Sequence, residues 1–182
     1  MLLLVAIVVA VALVPLVGGD LRALATLRFR VPGLVAAALV LQILVITVFP
    51  GPRTTLRLAA YLSSYALAVV FLFLNRRIPG LWLIGTGALL NLLAIGANAG
   101  VMPATRDALA TAGVVPPGEV FANAAYVEHA RLWFLGDVFA VPSSWPVSNV
   151  FSVGDVILVV AALLALHSVC GSRLALPRSV RA

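Results

Sequence analysis

Five apolar stretches decide what this chain can become. Residues 2–17, 31–49, 58–74 and about 78–97 contain no charged side chain, and 152–170 contains one, Asp155. A helix over 2–17 would be about 24 Å long at 1.5 Å per residue, short for a hydrocarbon core of about 30 Å unless it continues through Gly18 and Gly19. The other four approach the usual length of a membrane span. In lipid, a helix satisfies its own backbone hydrogen bonds without help from water. The expected fold is an all-α polytopic integral membrane bundle of five spans, forming one membrane domain over residues 1–182.

Composition agrees. A soluble domain is about half apolar and about a quarter charged; this chain is 63% hydrophobic and 10% charged. A water-soluble fold of 182 residues has too little interior to hide that much apolar surface. The net charge of +6 comes in short clusters between the apolar runs. It therefore points to topology and anionic lipid headgroups, and nucleic acid is not an expected partner. Expected partners are the lipid bilayer and another membrane protein or a second copy of the chain. No positive segment precedes residues 2–17 and no A-x-A site follows, so that run reads as a retained first helix rather than a cleaved signal.

The arginines set an orientation. Arg22, Arg28, Arg30, Arg76, Arg77, Arg173, Arg178 and Arg181 fall on one side of a five-span bundle, and Arg53, Arg57, Arg106 and Arg131 on the other. The positive-inside rule then predicts a plasma-membrane protein with its N-terminus outside and residues 171–182 as a cytoplasmic tail. The connection 98–151 becomes an outer-face cap, too long for an ordinary helix link. It holds Asp107, Glu119, Glu128 and Asp137, four of the six acidic residues. Residues 105–112 suggest a short helix ended by Gly113, and Pro116-Pro117-Gly118 a break. Residues 119–135 suggest an interfacial or re-entrant helix with a stripe of Val120, Phe121, Ala124, Val127 and Leu135, and with Glu119, Asn123 and Arg131 elsewhere on the wheel. Trp133 and Trp145 suit the headgroup level, and 142–146 reads as a turn.

Few polar residues interrupt the apolar runs. Asn91 lies inside the fourth, and Asn98 follows two turns later, on the same face if the helix continues. With Gly87 and the Gly96-x-x-x-Gly100 spacing, they suit either close helix packing or the polar lining of a ligand pocket. Ser152-x-x-Asp155 matches a capping box, and Asp155 equally suits an outward cavity. Asp137 shares the Gly-Asp-Val triplet of residues 154–156, so the two carboxylates are candidates for one cation- or proton-binding site, or for pairing with Arg106 or Arg131. Tyr61, Ser64 and Tyr65 form a polar patch that could bond to Gln42 and Thr47. The candidate ligand-binding residues are Asn91, Asn98, Asp137 and Asp155.

Several chemistries lack their signature. One cysteine, Cys170, permits neither an internal disulfide nor a cysteine zinc site. Glu128 and His129 diverge by about 100° on a helix, and no H-E-x-x-H is present, so zinc is not expected. His167, near the inner end of the fifth run, reads as a hydrogen-bonded packing residue rather than a haem ligand. No nucleotide-binding or serine-nucleophile motif occurs. No metal, cofactor or catalytic residue is expected, and a non-enzymatic membrane protein binding a small ligand, ion or lipid is the leading reading, as a transporter component or accessory subunit. The alternatives are an enzyme acting on a lipid-linked substrate through Glu128, His129, Asp137 and Asp155, and a structural subunit of a larger complex.

The pattern Gly87-x-x-x-Asn91-Leu92-Leu93, Asn98-x-Gly100-x-Met102-Pro103, Leu135-Gly136-Asp137 and Ser152-x-Gly154-Asp155, preceded by Gly18-Gly19-Asp20-Leu21, resembles small bacterial multi-pass membrane proteins grouped only as a domain of unknown function, in actinobacterial and related lineages. The resemblance covers nearly the whole chain. It departs at Ala99, where the family favours a second glycine. It implies a plasma-membrane protein with several helices and supplies no activity.

Overall fold

The computed structural model describes residues 2–48, 54–114 and 124–175. Pro50-Gly51-Pro52, Arg53, Pro116-Pro117-Gly118, Glu119, Val120, Phe121, Asn123, Arg178 and Arg181 lie outside the described residues. The described chain is mostly helical. Helix α1 spans Leu2–Leu16, α2 is the short turn Ala23–Thr26, and α3 is Gly33–Ile43, continued by a π-helical turn over Leu44–Val48. Then come α4 (Thr55–Leu74), α5 (Leu81–Ala97), strand β1 (Met102–Ala104), α6 (Arg106–Ala112), β2 (Ala124–Tyr126), a 3₁₀ turn Trp133–Leu135, β3 (Phe139–Val141), β4 (Asn149–Phe151) and α7 (Val153–Val169). The long helices stand on the five apolar runs. One of them, α4, is long and apolar enough to cross a bilayer; α1, α3, α5 and α7 are apolar and shorter.

Local chemistry sets the ends. Thr54 caps α4 by accepting from Arg57 N, Thr105 caps α6 by accepting from Ala108 N, and α6 stops at Gly113 in the left-handed conformation. The chain leaves α5 through Ala99 and Gly100, both at positive φ, +53° and +84°. Glycine adopts that region freely and alanine does so at a cost. A glycine at the alanine position would be conformationally cheaper.

The helices gather into one packed unit with two distinct ends. Backbone bonds tie Asp20 N to Cys170 O (2.9 Å) and Arg173 N to Val17 O (3.1 Å), so the C-terminal ends of α1 and α7 lie side by side. Asn75 at the end of α4 accepts from Arg30 N (2.7 Å), bringing the link before α3 to the same end. Gly80, at the start of α5, abuts Ala165. The opposite end carries the exits of α3 and α5 and the segment from Asn98 to Phe151. There Val45, Tyr61, Ala94, Ile95 and Met102 form a buried cluster, with Leu135 packed on it.

That segment is not built as expected over 124–135, the described part of the expected helix. Residues 124–135 hold a strand, turns and one 3₁₀ turn rather than a helix. His129 and Leu132 sit at φ +56° and +51°, which an α-helix cannot accommodate. Strand β1 pairs in parallel with β2, and Asp137 bridges to Ala104 on the same strand. The expected turn at 142–146 closes the antiparallel hairpin of β3 and β4, which is held to α6 by Ser143 N donating to Thr111 O (2.9 Å).

Candidate functional site

The polar centre starts from a helix cap. Ser152 ends an extended stretch and begins α7, and its hydroxyl accepts from Asp155 N (3.0 Å) while Ser152 N donates to Asp155 Oδ2 (3.0 Å). This is the capping box the Ser-x-x-Asp spacing calls for. Asn91 of α5 completes it. Ser152 Oγ donates to Asn91 Oδ1 (2.9 Å) and Asn91 Nδ2 donates to Asp155 Oδ1 (2.8 Å). A carboxylate accepts and a hydroxyl holding one N–H donates onward, so this is the amide orientation that satisfies both neighbours. The ring is fully closed, and Ser152 is completely buried within it.

Two glycines let the helices come this close. A Cβ on Gly87 would meet Gly154 O at 2.8 Å and Leu158 N at 3.0 Å. A Cβ on Gly154 would overlap Asn91 Oδ1, so the asparagine occupies the space that glycine leaves. Gly96 does not take part in such packing: nothing lies within 4 Å of where its Cβ would be, and Gly100 belongs to a turn rather than to α5.

Asp137 arrives from the other side. Its backbone is locked against β1, with Asp137 N donating to Pro103 O (2.8 Å) and Thr105 N to Asp137 O (3.2 Å). Gly136 permits the approach, since a Cβ there would overlap Pro103 O. The Asp137 side chain is 6% exposed. Among the described residues its carboxylate has no hydrogen-bond or ion-pair partner, and Arg106 and Arg131 do not reach it. Burial pushes its pKa up to about 7, with the nearby charge of Asp155 adding to the effect. Tyr61 and Tyr65 on α4, hydroxyls 3.2 Å apart, are within electrostatic reach of Asp155, and Tyr61 also of Asp137. The i, i+4 tyrosine spacing was the sequence signal for this pair, although nothing in it indicated that the pair lies within electrostatic reach of the carboxylates.

Asn98 is placed elsewhere. Helix α5 ends at Ala97, so the face shared by Asn91 and Asn98 in a longer helix is lost. Asn98 Nδ2 donates to Ala94 O and Arg131 O (both 2.7 Å), and its Oδ1 accepts from Arg131 N (2.9 Å). It fastens the loop to the helix end and does not join Asn91, Asp137 and Asp155. Glu128 and His129 are exposed, and no described hydrogen bond or ion pair links them to the carboxylates. Ser64 turns back on its own helix, donating to Tyr61 O (2.6 Å), and Thr47 lies outside the residues whose side chains are described. His167 is fully buried, with Nδ1 2.7 Å from Ser172 Oγ. Among the described residues no group of three or more His, Cys, Asp or Glu could hold a metal.

Chemically, the centre offers oxygen atoms and one carboxyl group, that of Asp137, without a described partner. Such a group is stabilised by a proton or by a small cation. No solved structure matches the chain. An uncharacterized protein of Thermotoga maritima is 29% identical over 101 residues, covering 56% of this chain and 58% of that protein, less than two thirds of its length. Residues 26–167, which contain every member of the polar centre, match a family of unknown function, DUF5317, and the chain belongs to that family.

Proposed function

We propose that this chain is a non-enzymatic, multi-spanning protein of the plasma membrane that binds one small cation, in competition with a proton, at the outer end of its helix bundle. Helices α1, α3, α4, α5 and α7 are the spans in this reading, and the segment from Asn98 to Phe151 covers the site on the extracytoplasmic side. Support for the lipid setting comes from the outward faces. Val8, Leu39, Val40, Phe73, Leu89 and Val160 are large, apolar and exposed, on five different helices, a surface that water would not tolerate at this density. Support for the orientation comes from the end that gathers Arg22, Arg28, Arg30, Arg76, Arg77 and Arg173, which suits the cytoplasmic face.

One observation carries the site: Asp137 is a buried residue whose carboxyl group has no described hydrogen-bond or ion-pair partner, within electrostatic reach of a second carboxylate whose own oxygens are already engaged. A buried charge of this kind is costly unless something neutralises it. Asp137 is the group that varies between states, and Asp155 with Asn91 and Ser152 is the fixed wall. The test is native mass spectrometry of the purified full chain, released from detergent at pH 8 in sodium, potassium and calcium salts in turn. One cation per chain is expected, absent from Asp137→Asn, with membrane insertion of the variant unchanged. If the variant and the parent carry the same ions, or neither carries any, the reading is wrong.

A further inference from the structure

Strand β1 changes neighbours along its length. Met102 belongs to the buried cluster that includes Tyr61. Pro103 and Ala104, with Thr105 just after the strand, line a cavity of about 280 Å³ together with Arg106, Tyr126, His129 and Trp133. The guanidinium of Arg106 is held over the Tyr126 ring, its carbon 4.3 Å from the centroid. Stacking fixes where the cation sits while leaving its N–H donors free. Among the described residues Arg106 has no ion-pair or hydrogen-bond partner. The neighbouring acids Asp107 and Glu128 are exposed and do not line the cavity. Thr105 Oγ1 accepts from Ala108 N and keeps its own hydrogen to donate.

We propose that this cavity binds a phosphate ester: the phosphate against Arg106 with His129 and Thr105 as further donors, and the esterified group against Tyr126 and Trp133. A guanidinium fork matches a phosphate's paired oxygens, and the two aromatic rings give a wall for the uncharged part. The volume falls just below the range of about 300–1,000 Å³ typical of whole small-molecule sites, so it suits a head group or a small ester. The ligand can come from either of two sources, a lipid head group or a soluble phosphate ester. Trp133 and Phe134 are 57% and 53% exposed beside the cavity and would rest on the lipid interface in the first case. The inference does not depend on the cation site, because no residue is shared.

The experiment uses the full chain in detergent with Trp82→Phe and Trp145→Phe, so that Trp133 alone reports. It is titrated with glycerol 1-phosphate, with short-chain phosphatidylglycerol and with short-chain diacylglycerol, which lacks phosphate. A saturable change in emission is expected with at least one phosphate compound and none with diacylglycerol. A response to glycerol phosphate assigns a soluble ester, and a response confined to the phospholipid assigns a head group. Arg106→Gln should weaken binding at least tenfold, and Arg106→Lys, which keeps the charge but not the fork, by less. Arg173→Gln, at the opposite end, should leave it within twofold. No saturable response to either phosphate compound, an equal response to diacylglycerol, or equal losses in the Arg106 and Arg173 variants would overturn the proposal.

Discussion

Asn91 and Asp155, sixty-four residues apart, meet across α5 and α7 through a 2.8 Å bond from Nδ2 to Oδ1. The bond is charge-assisted and sits in a closed ring with Ser152, so its loss strands more than one group. Asn91→Ala leaves Asp155 Oδ1 without its donor and the buried Ser152 hydroxyl without an acceptor for its proton. Each unsatisfied buried group costs about 1–3 kcal/mol, and a loss of about 2–4 kcal/mol is expected by thermal unfolding in detergent. Asn91→Asp should do worse, because it sets a second carboxylate against the first. Equal stability of Asn91→Ala and the parent would show the ring to be incidental.

The same helix pair makes opposite demands on two glycines of α5. Gly87→Ala gains helix propensity of about 1 kcal/mol but drives a Cβ onto Gly154 O and Leu158 N, backbone atoms that cannot swing aside. Overpacking of this kind costs about 1–3 kcal/mol, so net destabilisation is expected. Gly96→Ala meets nothing within 4 Å and should stabilise by up to about 1 kcal/mol. Melting temperatures that move in the same direction for both variants would contradict this account of the crossing.

The pH dependence has a definite sign. The pKa of Asp137 is raised on folding, from 3.8 to about 7, so the folded state binds the proton more tightly than the unfolded chain. Its contribution to stability is complete below about pH 4, declines between pH 4 and 7, and is gone above about pH 7. Asp137→Asn removes the decline. In cation-free buffer the parent should therefore lose stability relative to the variant as pH rises from 4 to 8, while a bound cation should restore it at pH 8. Parallel curves for the two proteins would exclude a titrating role for this residue.

Ala99 offers the simplest check of backbone strain. A non-glycine residue in the left-handed region costs about 1–2 kcal/mol, and glycine gives back part of that through its freer unfolded state. Ala99→Gly is expected to raise stability by about 0.5–1 kcal/mol. The side chain is exposed, so lost packing should not mask the gain. A lower melting temperature would mean that the methyl group has a role.

What could be read before the coordinates follows from how local each feature is. The apolar runs locate the long helices because helix formation is a property of contiguous residues. The cap at Ser152 and the stop at Gly113 were equally legible, being built from residues within four positions of one another, whereas Thr105, read as part of its helix, is the cap before it. The expected helix over 119–135 fails in its described part, 124–135, because the apolar spacing fits a helical stripe, whereas Asn98 claims the backbone of Arg131 for a tertiary bond and His129 and Leu132 turn left-handed. Asn91 and Asp155 could be named but not joined, since their contact depends on where α5 and α7 cross. That Asp137 lacks a partner is invisible in one dimension: it depends on Arg106 stacking on Tyr126 and on Arg131 being turned toward Asn98 by its backbone.

The two backbone bonds that tie Val17 and Asp20 to Arg173 and Cys170 have a consequence for biogenesis. Residues 17 and 20 have no such partners until at least about 150 further residues have been synthesised. The first helix must wait, packed only provisionally, while the α3–α4 hairpin and α5 are laid down, and the seam closes when α7 arrives. If the chain is inserted into a membrane as proposed, one arrested before residue 170 is expected to leave its first helix accessible to cross-linking from the insertion machinery, and one released beyond 175 to withdraw it.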